Sequence, residues 1–252
     1  MSLFTTRPEI VGTFGVVTST HWLATSVGMR MLELGGNAFD AAVATGFTLQ
    51  VVEPHLNGPG GEVPIIISAA NSDEVQVICG QGVAPMAANV GYFKNLGLSL
   101  IPGTGLLPAV VPGAFDAWMI MLRDYGTFDL ETVLEPAIGY AESGYPLLPG
   151  ISAVIDQMQD LFSNHWTSSG QIYLTHGVPK AGSLFCNTDL AKTYRRIVSD
   201  SKNAGGSREH KIEAARDSWY RGFIAEAIDK FCSTTKVLDT TGQHHAGLLC
   251  GD

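Results

Sequence analysis

The side chains that could do chemistry are scattered along this sequence. Its seven histidines lie far apart, except for the adjacent pair His244 and His245. Neighbouring residues on a helix or strand point in different directions, so this pair is a poor joint ligand set for one metal ion. The sequence lacks the patterns GxxxxGK[ST], HExxH and GxSxG, which bind phosphate, bind zinc or present a reactive serine. We therefore expect no metal site and no self-sufficient active site in these residues.

Composition and charge exclude several classes of function. The formal net charge is −9 and no stretch is rich in Lys or Arg, so the electrostatic attraction that nucleic-acid binding needs is missing. No apolar run approaches the ~18–20 residues that cross a bilayer, and the first ten residues do not read as a secretion signal. The four cysteines are too far apart for a zinc motif or a disulfide framework. Reduced thiols and a cytoplasmic location are expected.

Charged residues make up only 15% of the 252 residues, against ~25% in an ordinary soluble domain. A compact monomer of 26.8 kDa exposes ~11,000 Å² of surface, which so few charged side chains would cover thinly. We therefore expect part of the surface to be covered by another polypeptide.

The periodicity and the capping residues predict the first elements. Residues 9–18 read as a strand, followed by a helix that Ser19 or Thr20 caps and that ends at Gly35-Gly36. Asn37 caps a second helix, with Asp40 near its positive N-terminal end. That helix is rich in Ala and Gly, so we place it between layers rather than on the surface.

The rest of the chain is predicted to form one β-hairpin followed by a series of helices. Residues 64–69 and 74–79 predict an antiparallel hairpin in a buried sheet, with its turn at 71–73. Two helices, from Pro112 to about Arg123 and from Leu130 to Glu142, should form a helix hairpin. Further helices are predicted at about 151–162, 187–199 and 217–231, and the polar stretch 200–213 is a candidate mobile surface segment.

This order of elements predicts a mixed α/β fold with helical layers over a mostly antiparallel sheet. A Rossmann domain is disfavoured, because the turn after the first strand, TSTHW, contains no glycine.

One long ordered segment resembles a known family. The string GGNAFDAAVATGFTLQVVEPHLNGPGG from Gly35, the apolar hairpin after it and GQGVAP resemble the large subunit of the γ-glutamyltransferase (γ-glutamyltranspeptidase) family. The segments VVPGAFDAWMIMLRDYGTFDLETVLEPAIGYAESGYPL and WYRGFIAEAI resemble later parts of the same subunit. The resemblance covers nearly the whole chain, so residues 9–252 are expected to be the large-subunit portion of one domain, after an N-terminal tail at 1–8.

The resemblance implies an N-terminal-nucleophile (Ntn) hydrolase fold, a four-layer αββα sandwich. It implies a precursor that cleaves itself, so that the freed threonine at the start of a small subunit becomes the nucleophile. That small subunit is the implied partner, the implied substrate is a small γ-glutamyl or acyl amide such as glutathione, and no cofactor is implied.

Two features depart from the family pattern. The chain stops at LLCGD, before the expected cleavage site, so the catalytic threonine is expected outside it; the pairs Thr234-Thr235 and Thr240-Thr241 lie in a polar tail and are poor candidates. The resemblance also implies an arginine that binds the substrate's α-carboxylate, where this sequence has Gln81. We predict that Gln81 lines the acyl pocket and that loop 57–61 borders it.

A glutamine offers one neutral amide where an arginine offers a charged bidentate fork. Either a cation from elsewhere replaces it, or the acyl group lacks the α-charge, as in the cephalosporin or glutaryl acylase branch of the family. The main hypothesis is thus a γ-glutamyltransferase-like enzyme. The alternatives are an acylase of the same fold, an amidase that hydrolyses without transfer, and a catalytically silent structural partner.

Overall fold

The computed structural model describes residues 9–70 and 72–251, so the predicted tail at 1–8 and Asn71 of the predicted turn lie outside it. The helices of this part are α1 Trp22–Glu33, α2 Ala38–Val52, α3 Val90–Asn95, α4 Ala114–Tyr125, α5 Leu130–Ser143, α6 Pro149–Gln157, α7 Gln159–Asn164, α8 Thr167–Tyr173, α9 Thr188–Asn203, α10 Arg208–Tyr220 and α11 Phe223–Thr234. The strands are β1 Val63–Ser68, β2 Val75–Gly80, β3 Tyr145–Pro146, β4 Leu184–Phe185, β5 Val237–Leu238 and β6 His244–His245.

Helix α2 is the centre of the core, as its Ala- and Gly-rich sequence predicted. Eleven of its fifteen residues are buried, and it packs against α1, α4 and α5. Its small residues are needed, because a Cβ on Gly46 would lie 2.5 Å from the Trp118 ring of α4. The Asn37 cap is confirmed: its side chain accepts hydrogen bonds from the backbone N–H groups of Phe39 and Asp40.

The cap of α1 was predicted wrongly. His21 stands at the N-cap, and its Nδ1 accepts a hydrogen bond from Leu23 N at 3.2 Å. Ser19 instead hydrogen-bonds Thr25 Oγ1, and Thr20 donates to the Glu53 carboxylate. An imidazole nitrogen can accept as a hydroxyl does, so a histidine can do the work that sequence statistics assign to Ser and Thr.

Strands β1 and β2 form the predicted antiparallel hairpin, in which Val63 pairs with Gly80 and Ser68 with Val75. One face of the hairpin packs on α4. The other face carries Ile66, Val75 and Val77, which are 75%, 65% and 65% exposed. The prediction of a buried sheet therefore holds for one face only within the described residues.

Helices α4 and α5 exist as predicted, but they do not form a helix hairpin. Helix α5 packs against α2 and α9, whereas α4 packs against α10, α2 and the hairpin. The reason is the connection at 126–128, which is held from two sides. Asp40 accepts hydrogen bonds from Thr127 N and Phe128 N, and Arg208 donates to Gly126 O.

Three other predicted elements differ in the structure: one strand does not form, and two predicted helices are each divided in two. Residues 9–18 form no strand, because no described segment pairs with them and a strand needs a ladder partner. The helix predicted at 151–162 is broken at Met158, whose ψ is 3°. The helix predicted at 217–231 is two helices that meet at Gly222, the N-cap of α11.

The polar stretch 200–213 contains the end of α9, a turn at Gly205-Gly206 and the start of α10. Both glycines have positive φ, 64° and 76°, which glycine adopts at little cost. Ser201 and Ile212 of this stretch are buried. The mobility of the segment stays a prediction.

Candidate functional site

Gln81 follows β2 directly, and a close backbone crossing fixes its position. Val111 N donates a hydrogen bond to Val83 O at 3.0 Å, which ties the loop after β2 to the segment before α4. A Cβ on Gly82 would lie 1.7 Å from Val111 O, and one on Gly113 would lie 2.3 Å from Gly80 O. Only glycine fits at these two places, so the loop that carries Gln81 is held against the start of α4.

Gln81 lines a cleft of about 480 Å³ between this loop, the first turns of α4 and helix α10. Its walls include the apolar side chains of Ile78, Val83 and Ile120 and, on α10, the ring of Tyr220. The Tyr220 hydroxyl donates a hydrogen bond to Pro112 O at 2.5 Å. Burial and the nearby Asp116 carboxylate raise the pKa of Tyr220 to about 12.

The charged groups of the cleft are tied to one another. Arg216 binds Asp116 through two nitrogens, at 2.5 and 3.1 Å, and Glu213 through a third, at 2.8 and 3.0 Å. Glu213 also accepts a hydrogen bond from Arg123. Burial raises the pKa of Glu213, but the hydrogen bonds from Arg123 and Arg216 outweigh it, so the net shift is downward. The hydrogen bond to Asp116 likewise raises the pKa of Arg216.

Asn57 and Gly58, the first two residues of the loop at 57–61, line a second cavity of about 320 Å³ beside the first strand of the hairpin. Gly113 lines the Gln81 cleft and Ala114 lines the second cavity, and Gly61 O accepts hydrogen bonds from the backbone N–H groups of both, at 3.1 and 3.0 Å. Asn57 and Gly58 therefore lie near the Gln81 cleft but do not line it. That this loop borders the acyl pocket stays a prediction.

Sequence reasoning missed the polar group of this second cavity. Glu53 is only 4% exposed and accepts a hydrogen bond from the Thr20 hydroxyl, 33 residues earlier in the chain. His21 beside it is fully buried; burial lowers its pKa, and the Glu53 charge opposes that shift. The one feature of the sequence that could have pointed to Glu53 is its position in the VVEPH string, between the end of α2 and Pro54.

Three of the four threonines in the pairs near the end of the chain make structural hydrogen bonds. Thr234 donates to Lys230 O at 2.5 Å, Thr240 accepts from Gly103 N at 3.0 Å, and Thr241 donates to Asp239 at 2.5 Å. None of them lines the Gln81 cleft, and no serine or threonine is among the described residues that do. The described part of the cleft thus contains no serine or threonine hydroxyl that could act as the nucleophile.

The described residues contain neither a metal-binding cluster nor a membrane-spanning helix. In 9–70 and 72–251, no three His, Cys, Asp or Glu side chains come together as a metal site. Over the same ranges, no helix has the length and apolar character of a membrane span.

Comparison with solved structures defines the class of protein. A threonine-to-alanine variant of LmbA2991 superposes with a TM-score of 0.95 and 52% identity, over 99% of this chain and 42% of that one. Cephalosporin acylase from Bacillus halodurans superposes with a TM-score of 0.78 and 29% identity, over 91% of this chain and 41% of that one. The fold is that of the Ntn-hydrolase γ-glutamyltranspeptidase and acylase structures, as the sequence predicted.

Sequence comparison names the family. The profile described as "Gamma-glutamyltranspeptidase" matches residues 24–240, and the chain belongs to this family. The glutathione hydrolase-like YwrD proenzyme of Bacillus subtilis (strain 168) is 33% identical over 222 residues. That match covers 87% of this chain and 39% of YwrD, so the chain spans about two fifths of the length of YwrD and of LmbA2991.

Proposed function

We propose that this chain is the large-subunit portion of a γ-glutamyltransferase-like Ntn hydrolase. The complete protein would cleave or transfer γ-glutamyl or related acyl groups from amides. The observation that carries this proposal is the extent of the match: the fold agrees over 99% of this chain but over only 42% of LmbA2991. The remaining part of such a protein is where the attacking hydroxyl would lie.

A second chain would pack on the exposed face of the β1–β2 hairpin. The outward face of the β1–β2 hairpin is apolar and exposed, and sheets of a sandwich pack face to face at ~10 Å. The accessible surface is 14235 Å², larger than the ~11,000 Å² of a compact monomer of this mass. Relatives such as YwrD are named proenzymes, which supports a precursor that is cut into two chains.

The chemistry then follows from a freed threonine. A threonine hydroxyl is a weak nucleophile at neutral pH, but its own α-amine, with an ordinary pKa of ~7.7–8.0, is an adjacent base. The hydroxyl attacks the amide carbonyl, the amine leaves, and water or an acceptor amine releases the acyl group. Backbone N–H groups would stabilise the oxyanion, and Gln81 would line the pocket of the acyl chain.

A second candidate is an acylase of the same fold. The cephalosporin acylase of Bacillus halodurans matches this chain with 29% identity and a TM-score of 0.78, and its identity is close to the 33% of YwrD. An amidase that does not transfer and a silent structural partner are further outcomes of the test below. We also propose a cytoplasmic location, which four free cysteines support: Cys79, Cys186, Cys232 and Cys250.

The test uses the protein expressed from its complete gene. Four p-nitroanilides, of γ-glutamate, glutarate, 4-aminobutanoate and butanoate, are offered with and without a dipeptide acceptor. We expect p-nitroaniline release from at least one of them, and loss of release by more than a thousandfold when the first threonine of the second chain becomes alanine. A rate that depends on the acceptor indicates transfer. Absence of release from all four would contradict the proposed function.

A further inference from the structure

Among the described residues that line the Gln81 cleft, carboxylates outnumber guanidinium groups. Five of the described lining residues are charged, three carboxylates and two guanidinium groups: Asp116, Glu213, Asp217, Arg216 and Arg221. Their formal charges sum to −1. Arg123, which binds Glu213 from outside the lining, also binds Asp124, so this pair adds no net charge.

The Arg216 guanidinium already pairs with two carboxylates of the cleft. Three of its nitrogens bind Asp116 and Glu213, and its side chain is only 25% exposed. A substrate carboxylate could take this guanidinium only by displacing a carboxylate that already binds it in bidentate geometry. Such displacement leaves a partly buried carboxylate without its partner, which is unfavourable.

Arg221 is a weak anion site. Its side chain is 80% exposed and already pairs with Asp217 at 2.5 Å, one turn earlier on α10. Exposed ion pairs in water contribute little, because the solvent screens the charges and the long side chain must be ordered. Arg221 is therefore a weak binding site for a substrate carboxylate.

Gln81 lines the cleft with a neutral amide that makes no strong hydrogen bond to the described residues. It is exposed, and its described side-chain contact is a weak one, from Cys79 Sγ at 3.9 Å. Its amide can donate to and accept from a neutral polar group. Beside it lie Ile78, Val83 and Ile120, which suit a hydrocarbon chain.

On these grounds we propose that the acyl group this enzyme accepts carries no carboxylate at its far end, and that a neutral or amine-bearing short acyl chain is the preferred donor. The proposal rests on the proposed function, in which Gln81 lines the acyl pocket. It narrows that function from γ-glutamyl or related acyl groups to one class of donor.

The four anilides form a two-by-two test on the protein expressed from its complete gene. γ-Glutamyl and 4-aminobutanoyl differ only by the carboxylate, as do glutaryl and butanoyl. We expect kcat/KM to be at least tenfold higher for the member without the carboxylate in both pairs. Equal values, or a preference for γ-glutamyl and glutaryl, would overturn the proposal while leaving acyl transfer intact. Release from none of the four would instead overturn the proposed function, and this proposal with it.

A matched pair of variants tests the role of Gln81. Gln81→Arg adds a guanidinium to the cleft and should shift the ratio of kcat/KM toward the carboxylate-bearing donors by about tenfold. Gln171→Arg makes the same change on the exposed surface of α8, outside the cleft, and should leave the ratio unchanged. If the Gln81→Arg enzyme keeps the wild-type ratio of kcat/KM, the prediction that Gln81 lines the acyl pocket is wrong. The comparison of the four anilides with the wild-type enzyme tests the proposal even if neither variant folds.

Discussion

Replacing Asp40 with alanine is expected to lower the free energy of unfolding by about 4 kcal/mol. The Asp40 carboxyl is fully buried and accepts from Asn37 N at 2.9 Å, Thr127 N at 2.8 Å and Phe128 N at 3.0 Å. It also accepts from the Thr127 hydroxyl at 2.7 Å. The substitution leaves three backbone donors without their partner and removes half of the capping box of α2. Urea unfolding of the protein from its complete gene measures the loss.

Asp129→Ala is the matched control for this prediction. Asp129 also stands at a helix N-terminus, that of α5, but its side chain makes no capping hydrogen bond. Only its favourable interaction with the helix dipole is lost, so we expect a decrease below about 1 kcal/mol. Equal losses for Asp40→Ala and Asp129→Ala would show that the buried hydrogen bonds do not hold the 126–128 connection.

Arg208→Ala has the second largest expected effect, a loss of about 2–3 kcal/mol of unfolding free energy. The guanidinium donates to four backbone carbonyls at the end of α4 and in the following turn. These acceptors are Leu122 O at 2.9 Å, Arg123 O at 2.9 Å, Gly126 O at 2.8 Å and Phe128 O at 3.4 Å. The cation also complements the negative C-terminal end of the helix. The same urea titration gives the change.

Two further variants serve as controls: one separates hydrogen-bond geometry from charge, and the other removes an exposed arginine. Arg208→Lys keeps the positive charge but cannot match the planar fork, so less than half of the loss should be recovered. Arg221→Ala removes an arginine that is 80% exposed and should cost no more than about 0.5 kcal/mol. Full stability of the Arg208→Lys protein would mean that charge alone, rather than the four directed hydrogen bonds, accounts for the effect.

Local signals in the sequence were sufficient where a segment's structure depends on its own residues. The Asn37 cap, the small residues of α2 and the apolar β1–β2 hairpin all belong to short stretches with clear patterns. The packing of α4 and α5 could not be predicted, because Asp40 and Arg208 reach the 126–128 connection from residues more than 80 positions away. Residues 9–18 have strand-like composition, but a strand also requires a partner, which composition does not reveal.

The candidate site was predicted only in part, for a similar reason. Gln81 could be chosen because it follows a strand in a segment that resembles the family. Three of the charged residues opposite it, Glu213, Arg216 and Asp217, lie on α10, more than 130 residues later. Helical periodicity alone presents Glu213 and Arg216 as an ordinary surface pair. Their role as walls of one cleft follows from how α10 packs on α4.

The measurement that tests the account most directly is the intact mass of the protein expressed from its complete gene and purified under native conditions. We expect two chains that copurify. The first should contain the residues described here, and the second should begin with a threonine. A single uncut chain that releases p-nitroaniline from an acyl anilide would contradict the account, because its attacking group could not then be a threonine freed by cleavage.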